Sequence, residues 1–194
     1  MNAAPGQIWL VRHGETEWKA TGQHTSRTDV PLTDKGREQA RALGRVLGER
    51  DFTVVLSSPL SRAAETCRLA GFGDVMQIDD DLREWDYGDD EGRTTADIRK
   101  ERPGWTVWAG SPGGEPIDAV GTRARRVLER ATAAGGDAAL FSHGHYLRIV
   151  GACWLGLAPE GGRFFVLGTA AVSVLGYERE TRVFRHWNRV HEVG

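Results

Sequence analysis

No apolar run approaches the roughly 18 residues that a membrane-crossing helix needs, so no such helix is expected anywhere in the chain. Cysteine is scarce. Only Cys67 and Cys153 are present, far apart and in no CxxC pair, which excludes a disulfide framework and leaves two free thiols that read as small core residues. Net charge is nearly absent as well: 25 basic residues stand against 27 acidic ones. No general field therefore draws the chain to nucleic acid or to a membrane surface, and any positive potential must be local. Internal repeats and low-complexity segments are also missing. The opening residues, Met1 to Gly6, carry no basic region, and the apolar stretch after them is short and breaks at Arg12. The expectation is a chain without a secretion signal, soluble and cytoplasmic.

What the chain does have is enough apolar material for one full core: 194 residues, 40% of them hydrophobic, predict a single domain over 1–194. Short β-rich runs alternate with amphipathic helical patterns. Strands are predicted at 8–11, 52–57, 75–78, 138–142, 164–167 and 172–177, with a further one at 183–187. Thr33 or Asp34 caps a helix running to about residue 50, and Ser58-Pro59 starts another that stops at Gly71. A long helix is predicted over about 116–134, and another follows His143-Gly144-His145. Between 79 and 115 lies a loop-rich segment holding Trp85, Tyr87, Trp105 and Trp108. It is too aromatic for a linker and reads as an ordered insertion capping the active site, with a short helix near 95–102. The alternation predicts an α/β three-layer sandwich: a mainly parallel central sheet with helices on both faces.

In such a sheet the carboxyl ends of parallel strands share one edge, where ligands bind. The first strand delivers Arg12-His13-Gly14-Glu15-Thr16 to that edge. The second delivers Ser58-Pro59-Leu60-Ser61-Arg62, and a later one Ser142-His143-Gly144-His145. Arg83-Glu84-Trp85-Asp86-Tyr87-Gly88 follows the third strand. Two arginines, two or three histidines and a glutamate facing one cleft would supply what phosphoryl transfer without a metal requires: cationic donors, a nucleophile and a proton donor. Each piece alone has a plainer reading. Arg62 would be a surface arginine after Ser-Pro, and Glu84 one acid among Asp79, Asp80, Asp81 and Asp86 in a solvated loop. His13, His143 and His145 could instead form a metal site, but no acidic ligand has a metal-like spacing to them. His186 and His191 read as surface residues, and the tryptophans of the insertion read as core.

Taken together, the motifs resemble the histidine phosphatase superfamily, phosphoglycerate-mutase-like branch. The resemblance rests on Leu10-Val11-Arg12-His13-Gly14-Glu15-Thr16-Glu17-Trp18, Asp29-Val30-Pro31-Leu32-Thr33 with Gly36, Ser57-Ser58-Pro59-Leu60-Ser61-Arg62-Ala63 with Thr66, Glu84 in its motif, Gly114-Glu115 and Ser142-His143-Gly144-His145, in the family's order from residue 8 to about 175. It implies the phosphoglycerate-mutase-like fold, no cofactor, and a metal-independent phosphomonoesterase acting on a small phosphorylated metabolite. His13 would be the nucleophile that forms a phosphohistidine, its other ring nitrogen donating to a backbone carbonyl. Arg12, Arg62 and His143 would surround the phosphate, and Glu84, beside apolar Leu82 and Trp85, would be the acid.

The chain departs from many relatives at Lys19, where they carry Asn. The loop 21–29 and Arg83-Glu84-Trp85-Asp86-Tyr87-Gly88-Asp89 are more similar to a subgroup of sugar-phosphate phosphatases that includes sedoheptulose-bisphosphatase-like enzymes. In that comparison Gln23, His24, Thr25 and Tyr87 line the substrate pocket, and His145 lines it or merely begins a helix. Two rival functions stay open: a phosphoglycerate mutase using the same residues, and a phospho-ligand binding module without catalysis. The resemblance allows a monomer or a homodimer, with neither nucleic acid nor membrane as partner.

Overall fold

A computed structural model describes residues 6–48 and 50–190; His191 and the residues before Gly6 lie outside them. Six strands form one sheet: β1 (Ile8–Arg12), β2 (Val54–Ser57), β3 (Met76–Ile78), β4 (Ala138–Ser142), β5 (Val172–Glu178) and β6 (Thr181–Arg189). Their order is β3-β2-β4-β1-β5-β6. The first four strands in that order run parallel, β5 runs antiparallel to them, and β6, antiparallel to β5, returns to their direction.

Side-chain alternation along β1 divides the core. Ile8 and Leu10 join Leu56, Leu140 and Leu175 on one face. There they meet Val120, Val127 and Leu128 of α5 (Ile117–Ala133) and Leu147 and Val150 of α6 (Gly144–Trp154). Trp9 and Val11 join Val55, Phe141 and Val174 on the other, against Leu43 and Leu47 of α2 (Asp34–Leu47) and Cys67 of α3 (Ser61–Cys67). A period of two in the strands and of 3.6 in the helices thus yields the three expected layers. Both cysteines are buried and unpaired, and burial pushes the Cys67 thiol up to about 12.

The predicted strand at 164–167 does not form. Residues Pro159–Phe164 make a 3-10 turn instead, and the chain then runs irregularly to β5. Val166, apolar in the sequence, is 73% exposed, because this stretch edges a cavity rather than joining the sheet. Short helices not foreseen include α1 (Glu17–Thr21), capped by the Thr16 hydroxyl. In the 79–115 segment, α4 (Thr95–Glu101) is present, and Trp85 and Trp105 are core residues.

The parallel arrangement sets the site. Arg12 lies in register with Ser142, and Ser57 with Phe141, so His13, Ser58 and His143 leave the sheet at one edge. Close backbone contact fixes the loop after β1. A Cβ on Gly14 would lie 2.3 Å from the Gly36 carbonyl oxygen, and one on Gly36 would lie 2.1 Å from that of Glu15. Only glycines let the first turn of α2 seat against the segment that carries His13.

Candidate active site

His13 is buried, and its Nδ1 donates to its neighbour Gly14's carbonyl oxygen at 2.7 Å. That bond assigns the ring proton to Nδ1 and leaves the Nε2 lone pair free. Burial, then the nearby Arg62 and Arg12 guanidiniums, hold the imidazole well below its ordinary pKa. The ring is neutral at physiological pH, the state a nitrogen nucleophile needs.

Arg62 is not the surface arginine that its Ser-Pro context alone would suggest. It is fully buried on α3 and donates to the carbonyl oxygens of Thr28 (3.0 Å) and Ser26 (2.9 Å). Its nearest carboxylate, Asp29, is 4.0 Å away and half exposed. Arg12 donates to the Leu167 carbonyl and rests against Gly144, where a Cβ would come within 3.0 Å of its guanidinium carbon. Carbonyl oxygens thus orient both cations without neutralising them. Burial lowers the pKa of each, while Glu84 opposes that shift.

His143 is fully buried, and its Nε2 meets the Ser58 hydroxyl at 2.7 Å. The Ser58 oxygen also accepts from the Leu60 N–H; among the described residues its own proton has no other acceptor than Nε2, which places the ring proton on Nδ1. His143 Nδ1, Arg12 Nε and Arg62 Nε are buried donors with no partner in the protein. An unsatisfied buried donor typically costs about 1–3 kcal/mol, so three beside one histidine mark a place built for an acceptor.

Glu84, only 8% exposed, occupies the N-terminus of α6. Its Oε1 accepts from the backbone N–H groups of Trp85 (2.9 Å) and Tyr146 (2.8 Å), and its Oε2 from that of His145 (3.2 Å). His143 supplies no side-chain cap to this helix; the carboxylate from the 79–115 segment takes that place.

Arg12, His13 and Glu84 line a cavity of about 420 Å³. Arg62 and His143, both fully buried, are not among its lining residues. All five residues expected around the substrate, Gln23, His24, Thr25, Tyr87 and His145, line it too. The Gln23 amide is tied to the Gly92 carbonyl oxygen at 2.9 Å. Tyr87 hydroxyl and His145 Nδ1 lie 2.6 Å apart, and the His24 ring meets those of Tyr87 and Trp105 edge to face. His186, by contrast, is exposed elsewhere on the fold, as expected.

Lys19, which the sequence left between cavity and solvent, lines the cavity, and so does Arg148. Sequence reasoning missed Arg148, although a signal was there: it stands four residues after Gly144, on the same face of α6. Among the described residues no group of three or more His, Cys, Asp or Glu is arranged to hold a metal ion, and no helix is long and apolar enough to cross a membrane.

Residues 8–190 match the histidine phosphatase superfamily (branch 1). The chain is 40% identical over 181 residues to an acid phosphatase of Mycobacterium tuberculosis, covering 91% of this chain and 89% of that one. It is 36% identical to the sedoheptulose 1,7-bisphosphatase of Saccharomyces cerevisiae, with 78% of this chain and 68% of that protein covered. A probable phosphoglycerate mutase of Salmonella choleraesuis is 30% identical, with coverages of 93% and 89%. The solved structure of a functionally characterised open reading frame of Mycobacterium tuberculosis superimposes with a TM-score of 0.89 at 38% identity, over 95% of this chain and 98% of that one.

Proposed function

The protein belongs to the histidine phosphatase superfamily and is a phosphoric monoester hydrolase, and from that premise we propose that it hydrolyses small phosphorylated metabolites, sugar phosphates or similar, through a phosphohistidine at His13. The carrying observation is the Nδ1 bond to Gly14, which leaves a neutral Nε2 in a cavity shared with Arg12 and Glu84. In the first step Nε2 attacks phosphorus, the P–O bond to the leaving group breaks, and Glu84 gives its proton to the departing oxygen. In the second step water attacks the phosphohistidine, Glu84 takes the water's proton, and the N–P bond breaks to release phosphate and restore His13. Arg12, Arg62 and His143 supply the donors for the phosphoryl oxygens, where charge gathers in the transition state.

A cavity of about 420 Å³ leaves room beyond a phosphate for a sugar-sized leaving group. Gln23, His24, Thr25, Tyr87 and His145 offer amide, hydroxyl and imidazole groups to it. Lys19 and Arg148 bring positive charge that suits a second anionic group. Hydrolysis is favoured over mutase activity because Glu84 and His143 stand only 59 positions apart (143 − 84). A mutase must shelter its phosphoenzyme from water, which calls for a longer insertion there. Binding without catalysis would need neither nucleophile nor proton donor.

The test is phosphate release from a panel of sugar phosphates, phosphoglycerates and nucleotides, by the natural protein and by His13→Ala. The variant should lose turnover on the order of 10³-fold or more, and the natural protein should become labelled on His13. Wild-type turnover by His13→Ala would remove the phosphohistidine, and rapid phosphoglycerate interconversion with little free phosphate would favour the mutase.

A further inference from the structure

One side chain outside the cavity converges on Glu84 from two directions. Arg123, on α5, is only 8% exposed. Its Nη1 donates to the carbonyl oxygens of Asp81 (2.7 Å) and Arg83 (2.6 Å), and its Nη2 to that of Glu84 itself (3.2 Å). Nε and Nη2 also hold the two carboxylate oxygens of Glu115, at 2.9 and 3.0 Å. The guanidinium carbon lies 4.3 Å above the centre of the Tyr146 ring, and Tyr146 gives Glu84 Oε1 its 2.8 Å backbone bond. Glu115 is fastened in turn. Its N–H donates to the Asp86 carbonyl oxygen at 3.0 Å, and its own carbonyl oxygen accepts from the Trp85 indole at 2.8 Å.

We propose that Arg123 is a positioning residue for the proton-donating carboxyl of Glu84. It fixes the strap 81–86 between α5 and α6. Glu84 comes from irregular chain without the ladder that holds His13, yet a proton donor must be held within about 0.5 Å of its working place. Only a planar fork with five donors can bind the three carbonyls of Asp81, Arg83 and Glu84 and a carboxylate at once while lying over an aromatic ring. A lysine at this position would keep the charge and lose the geometry.

This inference rests on the reading of Glu84 as the acid, so the experiment separates the two. The measured quantity is kcat/KM, which reports phosphorylation of His13, for an alkyl phosphate and for 2,4-dinitrophenyl phosphate, whose leaving group needs no proton. The ratio of the two values from one preparation is independent of the fraction of protein that is folded. General-acid assistance is typically worth about 10²–10⁴-fold, so Glu84→Gln should depress the alkyl ester selectively. Arg123→Met should follow it with a selective loss of ~10–100-fold, and Arg123→Lys with a smaller one. Arg62→Lys should lower both substrates alike. If Glu84→Gln is selective while Arg123→Met leaves the ratio at its natural value, the positioning role is overturned and the acid assignment stands. If Glu84→Gln itself shows no selectivity, the acid assignment fails, and the role of Arg123 fails with it.

Discussion

The imidazoles of His13 and His143 meet edge to face, their centroids 5.2 Å apart. Each takes its tautomer from a different partner, His13 from the Gly14 carbonyl and His143 from the Ser58 hydroxyl. Burial, followed by Arg62, holds both rings well below the ordinary histidine pKa. Two adjacent imidazoles beside two guanidiniums are tolerable only while both rings are uncharged, and that same condition leaves the local positive charge for a phosphate.

A pH dependence follows. The folded-state values are depressed below 6.5, so the unfolded chain binds protons that the native chain refuses. The stability that these residues contribute is complete above pH 6.5 and is lost as pH falls beneath it, by up to about 1.4 kcal/mol per pH unit for each ring. Urea denaturation across that range should show the decline, and His143→Asn should make it shallower; an identical slope in the variant would contradict the buried neutral state. The acid limb of kcat/KM should lie below 6.5 and move upward in Arg62→Met, which removes one of the cations depressing His13.

Ser58→Ala takes the partner from a fully buried ring nitrogen. The expected cost is about 1–3 kcal/mol. The freed ring can also place its proton on Nε2, so inhibition by vanadate, a phosphoryl-transfer mimic, should weaken. Thermal unfolding and vanadate titration check the two effects, and wild-type values in both would show that the 2.7 Å bond contributes nothing.

Gly36→Ala sets two effects against each other. Helix propensity alone would favour alanine in α2 by about 1 kcal/mol. The added Cβ would lie 2.1 Å from the Glu15 carbonyl oxygen, backbone against backbone, and overpacking of this kind costs typically about 1–3 kcal/mol. The clash should win. The variant is expected to unfold at lower temperature and lose activity, whereas Arg41→Ala, at an exposed position of the same helix, should do neither. A more stable Gly36→Ala protein would contradict the close approach.

The alternation of apolar runs, with periods of two and near 3.6, determined the layers of this fold, since each pattern has one way to hide its apolar face. Local order also determined which residues reach the active edge, because parallel strands end on the same side. The strand expected at 164–167 shows the limit: apolar letters there serve the rim of a cavity, and composition does not distinguish a rim from a ladder. The identity of Arg12, His13, Arg62, Glu84 and His143 as candidates was likewise legible in the motifs. What only the tertiary structure decided is how those groups are held. The burial of Arg62 against carbonyls, the Ser58–His143 bond, Glu84 on the N-terminus of α6 and the grip of Arg123 on its strap all join residues distant in sequence. Charge state and tautomer depend on that enclosure, for they are set by desolvation and by hydrogen-bond partners, and neither exists until the chain has folded.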